Sequence, residues 1–243
     1  MVREPATVLI RAGLAAAALV GWDVLAPHLP SVPTWAEVLG LALVSLPLVT
    51  ITAYQLLPLA PLGLRLLLPA GLAIAVAALL IVIDLPGTEA TIAKLVAATL
   101  VGFALASLLQ TGAEAAAIAL LIAAVDAYSV AAGPTKVIVE QHREVLDDFT
   151  LSLHPIGSSG VAQIGASDIV FLGLFLASAV RLDLRPRATW AAATASFGLT
   201  MALSYAFDAA LPALPLLSLG FLAANADLLW ARRRGKDGSP ERE

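Results

Sequence analysis

Four aspartates lie inside long apolar stretches of the sequence, namely Asp23, Asp126, Asp168 and Asp227, and two of them, Asp126 and Asp168, stand at matched positions on either side of one loop. An ionisable side chain in such a stretch is costly to bury in a membrane and is a functional candidate by default. The stretch around Asp126 ends near residue 132, and the stretch around Asp168 begins near residue 161. If both are helices with a rise of about 1.5 Å per residue, each carboxyl lies about 9–10 Å below the same membrane face. Two antiparallel helices can thus bring both carboxylates to one depth.

A pair of carboxylates at one depth can hydrolyse a peptide bond. One carboxylate, ionised, takes a proton from water, while the other, protonated, polarises the carbonyl and later protonates the amine. Neighbouring carboxylates in a low dielectric cannot both ionise, which produces this division of labour. Position alone leaves two other roles open for the pair: coupling of proton or cation transport, and structural hydrogen bonds within a helix interface.

The composition predicts the elements that hold these aspartates. The chain has 243 residues, of which 60% are hydrophobic and 13% charged, whereas soluble domains carry about 25% charged residues. Apolar runs of about twenty residues recur along the chain, which is typical of membrane-spanning helices and unlike the alternating strands of a membrane barrel. Cysteine is absent and the net charge is −4. We therefore expect an all-α, polytopic transmembrane helix bundle with no disulfide, no thiolate metal site and no nucleic-acid partner.

Eight spans are predicted from the apolar runs and the charge, Gly and Pro that flank them. In the first run, Arg11 and Asp23 leave only the uncharged stretch Ala12–Trp22, which also suits a signal peptide. No convincing cleavage site follows, so we expect this helix to be retained. The spans lie near 8–25, 36–57, 63–83, 90–109, 113–132, 161–181, 188–208 and 213–231.

The chain divides into three predicted parts: about four N-terminal spans in 1–112, the spans that carry the aspartate pair in 113–231, and a basic polar tail in 232–243. The second part contains a long non-spanning segment, 133–160. Within it, Ile138, Val145 and Phe149 fall on one helical face, which predicts an interfacial helix. A solvated loop with a single helical turn fits the same periodicity equally well.

Three short motifs occur in order along 113–231. Asp126 follows Val125, Asp168 ends Gly165-Ala166-Ser167-Asp168, and the last span opens with Pro212-Ala213-Leu214. This arrangement resembles the presenilin and signal peptide peptidase family of intramembrane aspartyl proteases, most closely its short prokaryotic members. That family has Tyr-Asp in one span, Gly-x-Gly-Asp in the next and Pro-Ala-Leu at the start of the last. Val125 replaces the tyrosine and Ser167 the second glycine, whereas Pro-Ala-Leu is intact.

The resemblance implies a presenilin-like bundle, usually of nine spans, in which Asp126 and Asp168 form the catalytic dyad and need no metal or cofactor. It also implies that Pro212, Ala213 and Leu214 shape a substrate groove beside the dyad. The motifs also have a physical rationale. A substrate helix must unwind before hydrolysis, and its freed backbone groups then need new hydrogen-bond partners. Gly165 permits close backbone approach, Ser167 stands beside Asp168, and Pro212 interrupts regular helix.

The predicted function is therefore cleavage of transmembrane segments of membrane proteins or signal peptides, with those helices and the lipid bilayer as partners. A proton- or cation-coupled transporter remains an alternative. Another is an impaired family member that binds transmembrane helices without cleaving them, since Val125 and Ser167 depart from the family pattern.

Basic residues predict the orientation of the bundle. With eight spans, 11 of the 14 Lys and Arg residues fall on one side, and only Lys94, Lys136 and Arg143 fall on the other. Positive charge accumulates on the cytoplasmic side of membrane proteins. We expect a multi-pass protein of a prokaryotic cell membrane, with the 133–160 loop outside and both termini in the cytoplasm.

Overall fold

The structure, a computed structural model, describes residues 5–83, 87–132 and 149–237. Within these ranges the chain is mostly helical, as the sequence predicted. The helices are named α1 to α8 in chain order. They are α1 Pro5–Leu25, α2 Thr34–Gln55, α3 Leu67–Val82, α4 Gly87–Ala106, α5 Gly112–Ala132, α6 Ala166–Arg181, α7 Pro186–Phe207 and α8 Leu214–Asp237.

Six segments of the described chain are long and apolar enough to cross a membrane. They correspond to α1, α2, α3 with the turn before it, α4, α5 and α8. The helix α6 has 16 residues and is shorter than a typical span. The helix α7 has 22 residues but carries hydroxyl side chains along its length, including Thr189, Thr194 and Thr200. The chain is thus a helical, polytopic membrane protein, and six of the eight predicted spans have the length and hydropathy of membrane helices.

Two segments of the N-terminal half depart from regular α-helix. Residues Leu41–Ser45, inside α2, form a short π-helix. The segment Leu57–Leu66, between α2 and α3, is wound as 3-10 helix and contains Pro61 and the left-handed Gly63, with φ of 57°. Because proline and a positive φ both break an α-helix, this segment separates α2 from α3. The prolines at Pro58 and Pro61 predicted a tight antiparallel pair of these two helices, but α2 and α3 do not pack closely on each other.

A β-hairpin, which the sequence analysis did not predict, precedes α6. Strand β1, Thr150–Leu153, pairs antiparallel with β2, Ala162–Gly165. The predicted span from 161 was wrong at its start, because 162–165 are extended and the helix begins only at Ala166. The alternation of polar and apolar residues in Thr150–Leu153 is the strand pattern that accounts for this pairing.

Two further predictions concern the 133–160 segment and the basic tail. Ile138 and Val145 of the predicted interfacial helix lie outside the described residues, and Phe149 is an exposed residue directly before β1. The helix α8 continues to Asp237, past the predicted start of the tail at 232. Lysine and arginine are good helix formers and favour helix C-termini, so a basic sequence does not end this helix.

The tightest packing in the described bundle is between α4 and α6. A Cβ on Gly102 would collide with the Val170 carbonyl oxygen, and one on Gly173 would lie 2.8 Å from the Thr99 carbonyl oxygen. These two glycines therefore let the backbones of α4 and α6 touch. The helix α5, in contrast, packs mainly on α8.

Candidate active site

Asp126 lies in α5, six residues before the helix ends at Ala132, which is the position that the sequence predicted. Its carboxyl is partly buried. The Oδ2 atom accepts a hydrogen bond of 3.1 Å from the backbone N–H of Leu214. Leu214 is the first residue of α8, where a helix leaves backbone N–H groups without an intrahelical acceptor. The Pro-Ala-Leu segment thus contacts the first aspartate directly, through backbone rather than through a side chain.

Asp168 lies in the first turn of α6, three residues after the helix cap at Gly165. The backbone N–H of Gly165 donates a hydrogen bond to the Asp168 carboxyl. The N-terminus of a helix also carries partial positive charge, which favours a carboxylate at this place. The predicted depth of Asp168, seven residues into a helix from 161, was therefore wrong, because the residues before Ala166 are strand.

The carboxyls of Asp126 and Asp168 are close enough to interact electrostatically. They do not meet as predicted, along one packed pair of antiparallel helices. The helix α5 packs mainly on α8, and α6 packs mainly on α4. The two carboxyls are therefore brought near each other by two helices whose main packing partners differ.

The remaining predicted site residues surround this pair. Gly165 is the last residue of β2, and a Cβ there would lie 3.2 Å from both Asp168 Oδ2 and Ser167 Oγ. Ser167 is exposed beside Asp168. Pro212 and Ala213 are partly buried and lead into Leu214, which is buried. The structure thus gathers residues from three distant parts of the sequence around two carboxyls.

An apolar groove of about 490 Å³ opens beside the start of α6. It is lined by residues of α3 and α4, including Ile74 and Lys94, and by Phe149, Ala166 and Val170. Asp126 and the Pro-Ala-Leu segment do not line it. The groove therefore adjoins the Asp168 backbone on the side of α4, and it is not the space between the carboxyls.

The two other aspartates of the apolar runs, Asp227 and Asp23, have partners of their own. Asp227 forms an exposed, bidentate ion pair with Arg185, with distances of 2.7 and 2.6 Å. Asp23 is 3% exposed and accepts hydrogen bonds from Thr88 and His154. Neither residue contacts the Asp126–Asp168 pair in these bonds.

Sequence reasoning missed the hairpin, the Asp23 cluster and the Leu214–Asp126 bond. The alternation in Thr150–Leu153 was the available signal for a strand. Nothing in the sequence joins Asp23 to His154, which is 131 residues away. Within the described ranges no three His, Asp or Glu side chains group as metal ligands.

Comparison with known proteins gave no assignment. No sequence profile of a known protein family matches the chain, and no curated protein sequence matches it at significant similarity.

Proposed function

We propose that the protein is an intramembrane aspartyl protease of the presenilin and signal peptide peptidase type, with Asp126 and Asp168 as its catalytic dyad. The observation that carries this proposal is the meeting of three separated segments. The Asp126 carboxyl accepts the Leu214 N–H and interacts with the Asp168 carboxyl, which itself accepts the Gly165 N–H. Each carboxyl thus has one backbone donor and lies close enough to the other to interact with it electrostatically.

This geometry suits general acid–base hydrolysis. Two carboxyls that interact electrostatically hold one negative charge more readily than two. The ionised member can deprotonate a water molecule, and the protonated member can polarise the peptide carbonyl and protonate the leaving amine. Because the reaction needs one ionised and one protonated carboxyl, cleavage should fall at low pH, where both are protonated, and at high pH, where both are ionised.

The hairpin supplies a way to hold an unwound substrate. In the described chain the sheet has only two strands, and β1 is covered by α4 through side-chain contacts from Thr91 and Lys94. The strand β2 leads directly into Asp168. An extended substrate segment that lies along the hairpin near Gly165 would run past the carboxyl pair and exchange its helical hydrogen bonds for bonds to the backbone of the protein.

The proposed substrates are transmembrane segments of membrane proteins or signal peptides. The proposed bundle has eight spans, since α6 and α7 join the six apolar segments in an alternating path. In this path the hairpin and the Pro-Ala-Leu segment share one end, which we propose to face outside a prokaryotic cell membrane, with both termini in the cytoplasm.

The test is cleavage of a synthetic transmembrane peptide by the purified protein in lipid vesicles. We expect products with the wild-type chain, and none with Asp126→Ala or Asp168→Ala, although both variants remain folded. Asp227→Ala is the matched control and should cleave normally. Peptide binding without cleavage would indicate an impaired family member, and proton-coupled uptake without cleavage would indicate a transporter. Near-normal cleavage by either dyad variant would refute the assignment.

A further inference from the structure

Asp23, which the proposed reaction does not use, is a buried aspartate that bonds to groups from other elements of the fold. It lies near the end of α1 and is 3% exposed. Its Oδ2 accepts the Thr88 hydroxyl at 2.8 Å and lies 3.0 Å from His154 Nδ1. Its Oδ1 accepts the His154 backbone N–H at 2.8 Å. One buried carboxylate thus satisfies three donors, as a buried charge requires.

These partners belong to different elements. Thr88 stands at the start of α4, and His154 directly follows β1. A backbone hydrogen bond of 2.8 Å, from the Gly157 N–H to the Ala26 carbonyl, also holds the chain after β1 against the end of α1. Gly157 has a φ of 65°, and a Cβ there would collide with the Pro30 carbonyl oxygen. The hairpin is therefore attached to the N-terminal helices at its turn end.

The attachment continues along β1. Thr91 Oγ1 contacts both the N–H and the carbonyl oxygen of Ser152, and Lys94 Nζ donates to the Thr150 carbonyl at 3.0 Å. On its other side β1 pairs with β2, with Thr150 opposite Gly165. The Ala166 N–H donates to the Phe149 carbonyl at 2.9 Å, which fixes the start of α6 to the start of β1. A displacement of β1 must therefore displace Gly165 and the first turn of α6.

From these contacts we infer that Asp23, acting through His154 and the hairpin, is a positioning residue for the Asp168 carboxyl. Asp23 touches neither Asp168 nor the space between the carboxyls. Asp23 fixes the position of β1 relative to α1 and α4. The pairing with β1 in turn fixes the position of Gly165, whose N–H donates to the Asp168 carboxyl. The catalytic part of this inference depends on the proposed protease function.

Kinetics on the full-length protein test the inference. We expect Asp23→Ala and His154→Ala each to lower kcat per folded molecule at least tenfold while KM changes less than threefold. His154→Asn should restore kcat to within threefold of wild type, because its amide nitrogen can take the place of Nδ1 as a donor. Asp227→Ala makes the same substitution in an exposed ion pair and should leave kcat unchanged.

A merely structural role would reduce the yield of folded protein without reducing kcat per folded molecule. A kcat within threefold of wild type in both alanine variants would therefore overturn the inference. If Asp23→Ala does not fold, the kcat of His154→Ala decides whether the inference holds. The His154 side chain is 29% exposed, so its loss destabilises the fold less.

A second measurement does not depend on cleavage. The chain has no cysteine, so a single Ser167→Cys reports the surroundings of Asp168 through its rate of modification by a small methanethiosulfonate reagent. We expect Asp23→Ala or His154→Ala to change this rate at least fivefold, and Asp227→Ala to leave it unchanged. Unchanged rates in the first two variants would refute the positioning role. A changed rate in a protein that cleaves no peptide would retain the positioning role and refute the proposed function.

Discussion

The backbone N–H of Leu214 and Oδ2 of Asp126 are 3.1 Å apart, although 88 residues separate them in sequence. The donor belongs to the first residue of α8, and the acceptor lies in α5, the helix that packs on α8. Because the donor is a backbone group, its direction is set by the path of the chain through Pro212 and Ala213. The bond explains how a proline-containing segment can take part in a site without contributing a polar side chain.

Replacing Leu214 by proline removes this hydrogen bond and so tests its contribution to the reaction. Proline is tolerated at the first position of a helix and lacks the N–H. A hydrogen bond to a charged group contributes about 1.5–3 kcal/mol, so we expect Leu214→Pro to lower kcat about 10- to 100-fold. Leu214→Ala keeps the N–H and controls for loss of the buried side chain. Equal kcat values for the two variants would show that the N–H is not used.

Ser167→Gly should preserve or raise the cleavage rate. Ser167 Oγ would lie 3.2 Å from a Cβ built on Gly165, so glycine at 167 widens the approach to Asp168 on this side and matches the pattern of the family that the sequence resembles. Ser167→Leu should block cleavage, because a bulky side chain would stand where the substrate backbone must approach. Both rates are measured with one synthetic peptide. A strong loss with Ser167→Gly would assign the hydroxyl a role in orienting Asp168.

Cysteine labelling on intact cells tests the orientation. Ser159 lies in the hairpin turn and Asp183 in the connection between α6 and α7, and both are exposed. We expect an impermeant thiol reagent to label Ser159→Cys and not Asp183→Cys, because Arg181, Arg185 and Arg187 flank the second position. The reverse pattern would invert the orientation and the expected polarity of substrates. Labelling after permeabilisation controls for reactivity.

Gly102→Ala should destabilise the fold. The added Cβ would collide with the Val170 carbonyl oxygen and lie 2.8 Å from Leu174 N, so the backbones of α4 and α6 must separate. Overpacking of this kind costs about 1–3 kcal/mol. Gly71→Ala is the matched control, because open space surrounds that helical glycine. Thermal unfolding in detergent compares the two, and equal midpoints would contradict the close packing described here.

The helical part of the fold was predictable because apolar runs of helix length are a strong and local signal. Predicted and observed helices agree within a few residues for α2, α4 and α5. The start of α6 was not predictable in this way, since residues 161–165 are as apolar as a helix and become strand only by pairing with Thr150–Leu153. Such pairing is a contact between distant residues, and periodicity does not record it.

The sequence supplied the residues of the candidate site but not their surroundings. The cost of burying charge marks every aspartate in an apolar run, and only position relative to the loop distinguished Asp126 and Asp168 from Asp23 and Asp227. Their surroundings depend on which helices pack together, and the sequence does not reveal that α5 packs on α8 while α6 packs on α4. The role of Asp23 depends on a contact with His154 that only the folded chain creates.

The glycine contact between α4 and α6 limits the movement of the helix that carries Asp168. Gly102 and Gly173 leave no space for a side chain between these helices, so α6 cannot move closer to α4. Asp126 lies in α5, which packs mainly on α8 and has no comparable contact with α4. Under the proposed function, a substrate that enters between the two carboxyls displaces α5 rather than driving α6 toward α4. Substrate entry and the distance between the two proposed catalytic carboxyls would then change together.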